Sequence, residues 1–323
     1  MKGQASVCVV GSLNMDLVVR APRIPHPGET LLGNTYRTFA GGKGANQAVA
    51  AARMLGGQGW VALVGCVGDD PHGAKLKAAL EPEGVDLSRV LTRDPEMHPT
   101  GLALITVAEG GENTIVVSPG ANASLTAGDV EAAKDTIAAA GVLLCQLEVP
   151  TTAIAAGVKI AKEAGRAVIL NAAPARPLPP ELIKQVDVLV VNKSEAAVML
   201  AMDPSVDAAR LALRLPDLGA PTVILTQGAH GAILAHKGRP RRMAAVPVHA
   251  VDSVGAGDAF CGALAAGWGE VHAAIKSKSH DEYRLVEEAV RIATIAGGLA
   301  TTKAGALPSM PRRAEVDELA KKG

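Results

Sequence analysis

The 323-residue chain contains 32 Lys plus Arg and 32 Asp plus Glu, so its formal net charge at pH 7 is zero. This balance, together with only 2% aromatic residues, argues against a nucleic-acid platform or a membrane-surface protein, which usually carry a basic excess or stacking rings. The 48% hydrophobic content exceeds that of disordered chains. The length corresponds to roughly two average domains or one large α/β domain.

The cysteines and histidines lack the spacing of metal or redox motifs. The four cysteines are far apart in the sequence, at Cys8, Cys66, Cys145 and Cys261. We expect buried thiols in a reducing compartment, and the lack of an H-E-x-x-H pattern argues against a His-ligated zinc site. Asn14 and Asp16 come too early for a signal-peptide core, and no apolar run reaches the roughly 18 residues that span a bilayer. The sequence therefore predicts a soluble, cytoplasmic protein.

Short apolar runs alternate with Ala-rich stretches along the chain. The predicted strands are, in order, residues 7–13, 61–67, 101–108, 113–117, 142–147, 167–170, 186–191 and 222–226. Predicted helices are residues 45–55, 153–164, 195–201 and 258–266. Apolar strands separated by helices are typical of a mostly parallel sheet buried on both faces. No linker or repeat divides the chain, so we predict one α/β domain over residues 1–323.

Two regions interrupt this alternation. Residues 20–39 contain three prolines, and residues 101–117 read as a hairpin around Glu109-Gly110-Gly111-Glu112. Both can form a small antiparallel layer outside the main sheet, although ordinary surface loops and an edge hairpin explain the pattern equally well. Residues 276–288 are polar, and we expect a solvated loop that runs into a helix.

The glycines of the chain do not match the common nucleotide-binding fingerprints. Lys43 is followed by Gly44, which excludes a P-loop, where Ser or Thr follows the lysine. The first predicted strand ends in Gly11-Ser12-Leu13-Asn14, without the three spaced glycines of a dinucleotide site. A Rossmann dehydrogenase is therefore disfavoured.

A phosphate site is suggested instead by Gly255-Ala256-Gly257-Asp258, which precedes a predicted helix. Small residues there allow backbone N–H groups at a helix N-terminus to face an anion. Asp258 falls in the first turn, where a carboxylate can act as general base on a hydroxyl next to a phosphoryl group. The alternative is a helix cap behind a glycine turn, since Asp is common there.

A second glycine-rich stretch, Gly41-Gly42-Lys43-Gly44-Ala45-Asn46-Gln47, also opens a helix. Its glycines allow close backbone approach to a small ligand, and Lys43 and Asn46 supply donors. Asn14 and Asp16 end the first strand, where ligands of open α/β sheets collect. This combination suits a polyhydroxylated ligand, although a glycine turn with a helix cap remains the alternative.

Two further motifs follow apolar strands. Asn192 and Glu195 can hold hydrated Mg²⁺ near a nucleotide, or they can form a capping-box variant. The run Thr226-Gln227-Gly228-Ala229-His230-Gly231 can wrap the sugar and phosphates of a nucleotide, or it can be a β-turn that joins two strands.

These motifs, in this order and at these distances, resemble the sugar and nucleoside kinase family that contains ribokinase, adenosine kinase and fructokinase. The resemblance runs nearly end to end, and residues 14–16, 42–46, 146–148 and 171–176 are similar to ribokinases in particular. It implies a three-layer α/β fold with a central, mostly parallel sheet and a small β-sheet lid. The lid would comprise roughly residues 18–40 and 99–118, and a homodimer would form through it.

The resemblance also implies a role for each motif residue. Sugar contacts are implied for Asn14, Asp16, Gly42, Lys43, Asn46, Glu148 and Asp258. Asp258 is implied as the catalytic base, and the anion hole is implied for Gly255, Ala256 and Gly257. ATP contacts are implied for Asn192, Thr226, Gln227, Gly228, Ala229, His230, Gly231, Gly257 and Thr294. A K⁺ site is implied for Asp252, Val254, Ala300, Lys303, Gly305 and Ser309, with an indirect link to Mg²⁺ for Glu195.

One residue departs from the pattern of the family: Thr294 stands where some ribokinases have His or Asn next to adenine. The implied reaction is ATP-dependent phosphorylation of D-ribose at the 5-hydroxyl, with Mg²⁺ and K⁺ as cofactors. The alternatives are another kinase of the family, acting on deoxyribose, fructose or a nucleoside, and a non-catalytic sugar sensor. Few aromatic residues are present to bind a nucleoside base, and a sensor needs no general base at Asp258. Apart from a second copy of the chain, the expected partners are small molecules and neither nucleic acid nor a membrane.

Overall fold

The computed structural model describes residues 5–322; residues 1–4 and 323 of the predicted domain lie outside the described part. The strands are β1 Ala5–Val10, β2 Asn14–Ala21, β3 Thr35–Gly41, β4 Gly59–Gly68, β5 Val85–Arg93, β6 Gly101–Ala108, β7 Asn113–Ser118, β8 Val142–Cys145, β9 Ala167–Asn171, β10 Val188–Asn192, β11 Thr222–Thr226, β12 Ala232–His236 and β13 Arg239–Met243. The helices are α1 Lys43–Leu55, α2 Pro71–Leu80, α3 Ala127–Glu131, α4 Lys134–Ala139, α5 Thr151–Glu163, α6 Pro180–Ile183, α7 Lys193–Met199, α8 Ala208–Arg214, α9 Ala256–Lys276, α10 Glu282–Ala300 and α11 Arg313–Ala320.

The large sheet has nine strands in the order β13-β12-β11-β10-β9-β8-β1-β4-β5. From β5 to β11 every neighbouring pair is parallel, and only β12 and β13 add antiparallel edge strands. The central strands are apolar along their whole length because helices cover both faces. The prediction of a mostly parallel sheet is confirmed.

Alternate side chains of each strand enter two separate cores, as the pleat requires. On β1, Val7 and Val9 pack into one core, while Cys8 and Val10 pack into the other. Helices α1, α9 and α10 cover the first face, and α5 covers the second. All four cysteines are buried free thiols, as predicted.

A four-stranded sheet in the order β3-β2-β6-β7 lies beside the large one. Its outer pairs, β2 with β3 and β6 with β7, are antiparallel, whereas β2 and β6 run parallel. The central pair is parallel because both strands start from the same boundary with the large sheet, where Asn14 pairs with Gly101. Its strands span residues 14–41 and 101–118, so the first strand begins before residue 18 of the predicted lid.

A buried asparagine fixes the boundary between the two sheets. Asn122 accepts a hydrogen bond from the Leu13 N–H and donates to the Leu13 carbonyl, both at 2.9 Å. The same amide donates to Asn14 Oδ1 at 2.7 Å. A Cβ on Gly101 would lie 2.2 Å from both side chains, so only glycine fits there. These contacts set the direction in which β2 leaves the large sheet.

The order of the strands creates a crevice beside β1. The chain proceeds from β1 to β4 on one side and returns to β8 on the other, with α1 and α5 on opposite faces. Ligands of open α/β sheets bind at such a switch point, outside the carboxyl ends of the strands. The fold therefore predicts a ligand site at residues 11–16 and 146–148.

The polar stretch at residues 276–288 contains the predicted solvated loop that runs into a helix, with the loop confined to residues 277–281. Helix α9 extends to Lys276 and α10 begins at Glu282, so the connection is short. Glu282 is buried and contacts His236 Nε2 at 2.8 Å, and it also pairs with Lys237. These partners at the end of β12 hold the start of α10 against the sheet. In residues 5–322, no helix has the length and apolar character needed to cross a membrane.

Candidate active site

Asp258 lies in the first turn of α9 with its side chain buried. Gly255, at the N-terminus of the helix, has φ +80°, a left-handed conformation that glycine adopts without strain. The Asp258 carboxylate accepts hydrogen bonds from Asn46 Nδ2 and Gln47 Nε2, both at 2.9 Å. Because both donors belong to α1, the carboxylate joins two helices rather than taking the capping role that the sequence left open.

The backbone of residues 255–257 forms the N-terminus of the 21-residue helix α9. First-turn N–H groups have no carbonyl partner within a helix, and the helix dipole attracts negative charge. The Ala256 N–H makes one long hydrogen bond, 3.3 Å, to the Ser253 carbonyl. Gly257 is exposed, and a Cβ built on it would meet no atom of the described chain within 4 Å. Gly257 therefore offers the most accessible amide of the predicted anion hole.

Buried charges concentrate around Asp258. Burial raises the pKa of Asp258, while Lys43, Gln47 and Asn46 oppose that rise. Burial also acts to lower the pKa of Lys43, but the surrounding carboxylates, Asp258 and Glu148 first, outweigh it and raise that pKa. Lys43 is therefore a firmly charged cation between carboxylates.

The predicted sugar contacts converge near the ends of β1 and β8. Glu148 accepts hydrogen bonds from the Lys43 N–H at 3.1 Å and from Asn14 Nδ2 at 3.4 Å. Burial, then the neighbouring carboxylates Glu148 and Asp258, raise the pKa of Asp16 to about 7. Asn46 Oδ1 is buried and has no hydrogen-bond partner among residues 5–322. Carboxylate and amide oxygens beside an ammonium group match the donors and acceptors of a polyol.

Glycines make this convergence possible. A Cβ on Gly42 would lie 2.6 Å from the Asn14 nitrogen, and Gly42 also has φ +89°. A Cβ on Gly44 would lie 2.5 Å from the backbone of residues 11–12, and one on Gly41 would lie 2.4 Å from Asp16 Oδ2. The glycine-rich loop thus packs directly on the end of β1 and brings α1 to the crevice.

Several polar residues of the site carry no predicted role. They are buried or partly buried between the motifs: Ser12, Gln47, Asn122, Gln146 and Asn171. Ser12, Gln146 and Asn171 come at the ends of β1, β8 and β9, so a polar residue directly after an apolar strand was the available signal. Gln47 and Asn122 give no comparable signal, because their partners are distant in sequence.

Asn192 and Glu195 form a capping box at the start of α7. Asn192 Oδ1 accepts from the Glu195 N–H at 2.9 Å, and Glu195 Oε2 accepts from the Asn192 N–H at 2.7 Å. The capping box, which the sequence offered as the alternative to a role near Mg²⁺, is therefore present. It does not conflict with a role near Mg²⁺, because Glu195 also lies in the electrostatic field of Lys43 and Asp258, and burial raises its pKa.

The run Thr226–Gly231 connects β11 to the antiparallel strand β12, as the turn alternative predicted. The Gln227 N–H donates to the Gly231 carbonyl at 2.8 Å, which closes the turn. Gln227 Oε1 is buried without a hydrogen-bond partner in the described part of the chain. Thr294 is buried in α10, and its hydroxyl donates to the Val290 carbonyl of its own helix. The only hydrogen-bond donor of this side chain is therefore engaged within its own helix.

The predicted K⁺ residues bring two segments together behind the anion hole. Asp252 accepts from the Gly305 N–H at 2.9 Å and from the Val254 N–H at 3.0 Å. Ser309 is buried and donates to the Ala306 carbonyl. The ammonium group of Lys303 pairs with Glu315 at 2.7 Å, so only its backbone can serve this site.

A carboxylate with main-chain carbonyls is an all-oxygen donor set, which suits a hard cation. Over the described residues there is no group of three or more His, Cys, Asp or Glu side chains that could hold a metal ion. Any magnesium would be held chiefly by the phosphates of a nucleotide, as is usual for that ion.

Comparisons with known proteins agree with this fold. Residues 4–313 match the family described as pfkB family carbohydrate kinase. The ribokinase of Haemophilus influenzae is 39% identical over 315 residues, which covers 97% of each chain. The structure of Arabidopsis thaliana ribokinase complexed with ribose and ATP superposes with a TM-score of 0.82 at 32% identity, covering 98% of this chain and 99% of that one.

This protein belongs to the pfkB family of carbohydrate kinases. The chain therefore combines the fold of a family of phosphotransferases with a candidate site in which a buried aspartate lies at a helix N-terminus. Among its relatives, the ribokinase of Bacillus subtilis is 36% identical over 315 residues, covering 97% of this chain and 99% of the relative. The predicted family, fold and kinase activity are confirmed.

Proposed function

We propose that this kinase transfers the γ-phosphoryl group of ATP to the 5-hydroxyl of D-ribose. The observation that carries the proposal is the Asp258 carboxylate, held by α1 amides beside the accessible N-terminus of α9. A base and an anion site thus adjoin each other at the crevice. The similarity to ribokinases over nearly the whole chain supports ribose as the sugar.

In this proposal Asp258 accepts the proton of the 5-hydroxyl as its oxygen attacks the phosphoryl group. The amides of Gly255, Ala256 and Gly257 stabilise the charge on the transferring group, and Lys43 adds a fixed positive charge nearby. Mg²⁺, when bound with ATP, neutralises phosphate charge. Glu195 is the carboxylate of this chain that would hold that ion, through water.

Sugar recognition in this proposal rests on Asn14, Asp16, Asn46 and Glu148. The orphaned Asn46 Oδ1 supplies an acceptor for one hydroxyl. Asp16 and Glu148 supply further carboxylate acceptors. A site built to hydrogen-bond hydroxyl groups discriminates strongly against a sugar that lacks one, because its buried polar atoms are then left unpaired.

The nucleotide in this proposal lies across the ends of β10 and β11. Asn192 and the turn Thr226–Gly231 contact its sugar and phosphates, and Gly257 connects it to the anion hole. The buried, unpaired Gln227 Oε1 supports this placement, since an acceptor there gains a partner when a ligand binds. Thr294 offers no hydrogen-bond donor near the base, because its hydroxyl proton already donates to the Val290 carbonyl, but its oxygen can still accept.

The proposed K⁺ site lies between the segments of Asp252 and Gly305, outside the catalytic crevice. Carbonyl oxygens of Val254, Ala300, Lys303 and Ser309 would complete the oxygen donors. A cation there neutralises the Asp252 carboxylate and orders the turn that leads into Gly255. Its effect on the reaction is therefore indirect, through the anion hole.

The exposed face of the small sheet supports the proposal of a homodimer. Val19, Tyr36, Leu104 and Val116 are exposed apolar residues on β2, β3, β6 and β7, and the strand register places them on one face of the sheet. Monomeric proteins rarely leave such a contiguous apolar surface in water. A second copy of the chain, packed sheet to sheet, would cover it. The predicted cytoplasmic location stays a prediction.

A coupled ADP assay with ribose, deoxyribose, fructose and adenosine tests the function. We expect ADP release that depends on ribose, with the other acceptors at least about tenfold poorer in kcat/KM. Asn46→Ala should raise the KM for ribose far more than the KM for ATP. Faster turnover of another acceptor would identify a different kinase of the family, and ribose binding without ADP release would identify a sugar sensor.

A further inference from the structure

A chain of buried amides runs from the end of β8 to the Asp258 carboxylate. Gln146 Nε2 donates to Gln47 Oε1 at 2.7 Å, and Gln47 Nε2 donates to Asp258 Oδ1 at 2.9 Å. The same Gln47 nitrogen donates to Asn171 Oδ1 at 3.0 Å. Gln47 and Gln146 are both fully buried, with 0% exposure. Neither side chain therefore contacts solvent.

The direction of each amide follows from its neighbours. A carboxylate only accepts hydrogen bonds, so the group facing Asp258 must be the NH₂ end of Gln47. The carbonyl end of Gln47 then faces Gln146, which donates to it. Asn171, at the end of β9, accepts the second N–H of Gln47. The hydrogen bonds among Gln47, Gln146, Asn171 and Asp258 are all consistent with a single orientation of the Gln47 amide, which makes the arrangement rigid.

We infer that Gln47 is a positioning residue that fixes the orientation of the Asp258 carboxylate, and that Gln146 fixes the orientation of Gln47. This inference rests on the proposed role of Asp258 as the base. Asn46 holds the other oxygen, Oδ2, but its own free carbonyl belongs to the sugar site. Gln47 therefore acts on the base alone, whereas Asn46 acts on both base and sugar.

The charge state of Asp258 is a balance among several groups. Burial raises its pKa, and the hydrogen bond from Gln47 is one of the contributions that lower it. The charged and titratable groups that face it are Lys43 on α1, Asp16 on β2, Glu148 after β8, Glu195 on α7 and Cys261 on α9. Lys43 is the only cation among them and is the largest of the contributions that lower the pKa of Asp258, and the hydrogen bonds from Gln47 and Asn46 add to it.

Gln47→Met tests the inference, because methionine keeps the length of the side chain but has no donor. We expect the acid limb of the kcat-against-pH profile to move up by about one pH unit, since burial is then less opposed. The KM for ribose should stay within about twofold of wild type, because a positioning residue does not touch the sugar. A merely structural role would lower kcat equally at every pH.

Gln146→Met is the second variant, and it does not touch Asp258. This variant removes the hydrogen bond to the side-chain carbonyl of Gln47. The acid limb of the pH profile should therefore also move up, but by less than in Gln47→Met. Thr222→Val is the matched control: it removes a buried hydrogen bond to His236 at the far end of β11 and should leave the pH profile in place. Unshifted acid limbs in both glutamine variants would overturn the inference.

A readout without substrate separates this inference from the proposed function. The ¹³C carboxyl resonance of Asp258, assigned by its loss in Asp258→Asn, is titrated in wild type and in the two variants. We expect a higher midpoint in Gln47→Met and in Gln146→Met. If wild type shows no ribose-dependent ADP release, the proposed function fails. The titration still tests whether Gln47 positions the Asp258 carboxylate. Equal midpoints in all three proteins refute the positioning role.

Discussion

Asn46 Nδ2 on α1 donates a hydrogen bond of 2.9 Å to Asp258 Oδ2 on α9, across 212 positions of sequence. The two helices approach closely because Gly262 faces α1: a Cβ there would lie 2.5 Å from Ala50 Cβ and 2.6 Å from the Gln47 carbonyl. The glycine-rich loop proposed to bind the sugar and the proposed base Asp258 are thus joined by one helix contact. If these roles hold, sugar binding and orientation of the base are linked.

The pH dependence of stability should report on Asp16. Its pKa is raised to about 7 by burial and then by Glu148 and Asp258, whereas an unfolded aspartate has a value of about 3.9. Between these values the folded chain binds more protons, so Asp16 costs stability increasingly as pH rises through that window. Asp16→Asn should therefore raise the Tm by a few degrees at pH 8 and by less at pH 5, measured by calorimetry. An equal change at both pH values would contradict the raised pKa.

Gly257→Ala should separate folding from catalysis. A Cβ there meets no described atom within 4 Å, and alanine favours a helix over glycine, so the Tm should stay or rise slightly. The methyl group would occupy space beside the accessible amide, so kcat should fall by about tenfold or more.

Gly267→Ala is the control for that variant. Gly267 is also exposed on α9 and open to a Cβ within the described chain, but it lies three turns further along the helix. Its Tm should rise to a similar degree while kcat stays at the wild-type value. Unchanged kcat in both variants would remove Gly257 from the anion hole.

Potassium should activate the enzyme more than sodium. The turn before Gly255 depends on the Asp252 carboxylate, which also holds Gly305. Asp252→Asn removes the charge that a cation would neutralise, so its rate should respond equally to K⁺, Na⁺ and choline. Initial rates of ADP release in the three chloride salts measure the effect. Equal wild-type rates in K⁺ and Na⁺ would exclude the proposed site.

The small sheet should hold the homodimer together. Leu104 is half exposed on β6 at the centre of the apolar face. Leu104→Glu should convert a dimer into a monomer in sedimentation velocity at micromolar concentration. Leu213→Glu is the control, because Leu213 is 75% exposed on α8 and lies outside that sheet. A wild-type monomer would contradict the proposal.

Periodicity and glycine chemistry predicted the large sheet because apolar strands and polar strand ends are local features. The strand at residues 222–226 and the hairpin at 101–117 lie where the pattern placed them. The strand predicted at 142–147 ends at Cys145, since the side chains of Gln146 and Glu148 turn into the crevice rather than continue the ladder.

The amide chain around Asp258 could not be predicted, because each partner comes from a different element. Gln47 looks like any polar residue of an amphipathic helix, and Asn171 looks like the end of a strand. Only the tertiary contact between α1, α9 and the strand ends gives them a role. Glu282 was missed for the same reason, since its partners His236 and Lys237 lie at the end of β12, distant in sequence.

Ribose-dependent ADP release by Asp258→Asn, compared with wild type, tests the central claim most directly. Asparagine keeps the size of the side chain but cannot accept the hydroxyl proton. We expect kcat to fall by about 10²–10⁴-fold while the variant stays folded and still binds ribose in calorimetry. A kcat within about threefold of wild type would remove Asp258 as the base and contradict the proposed mechanism.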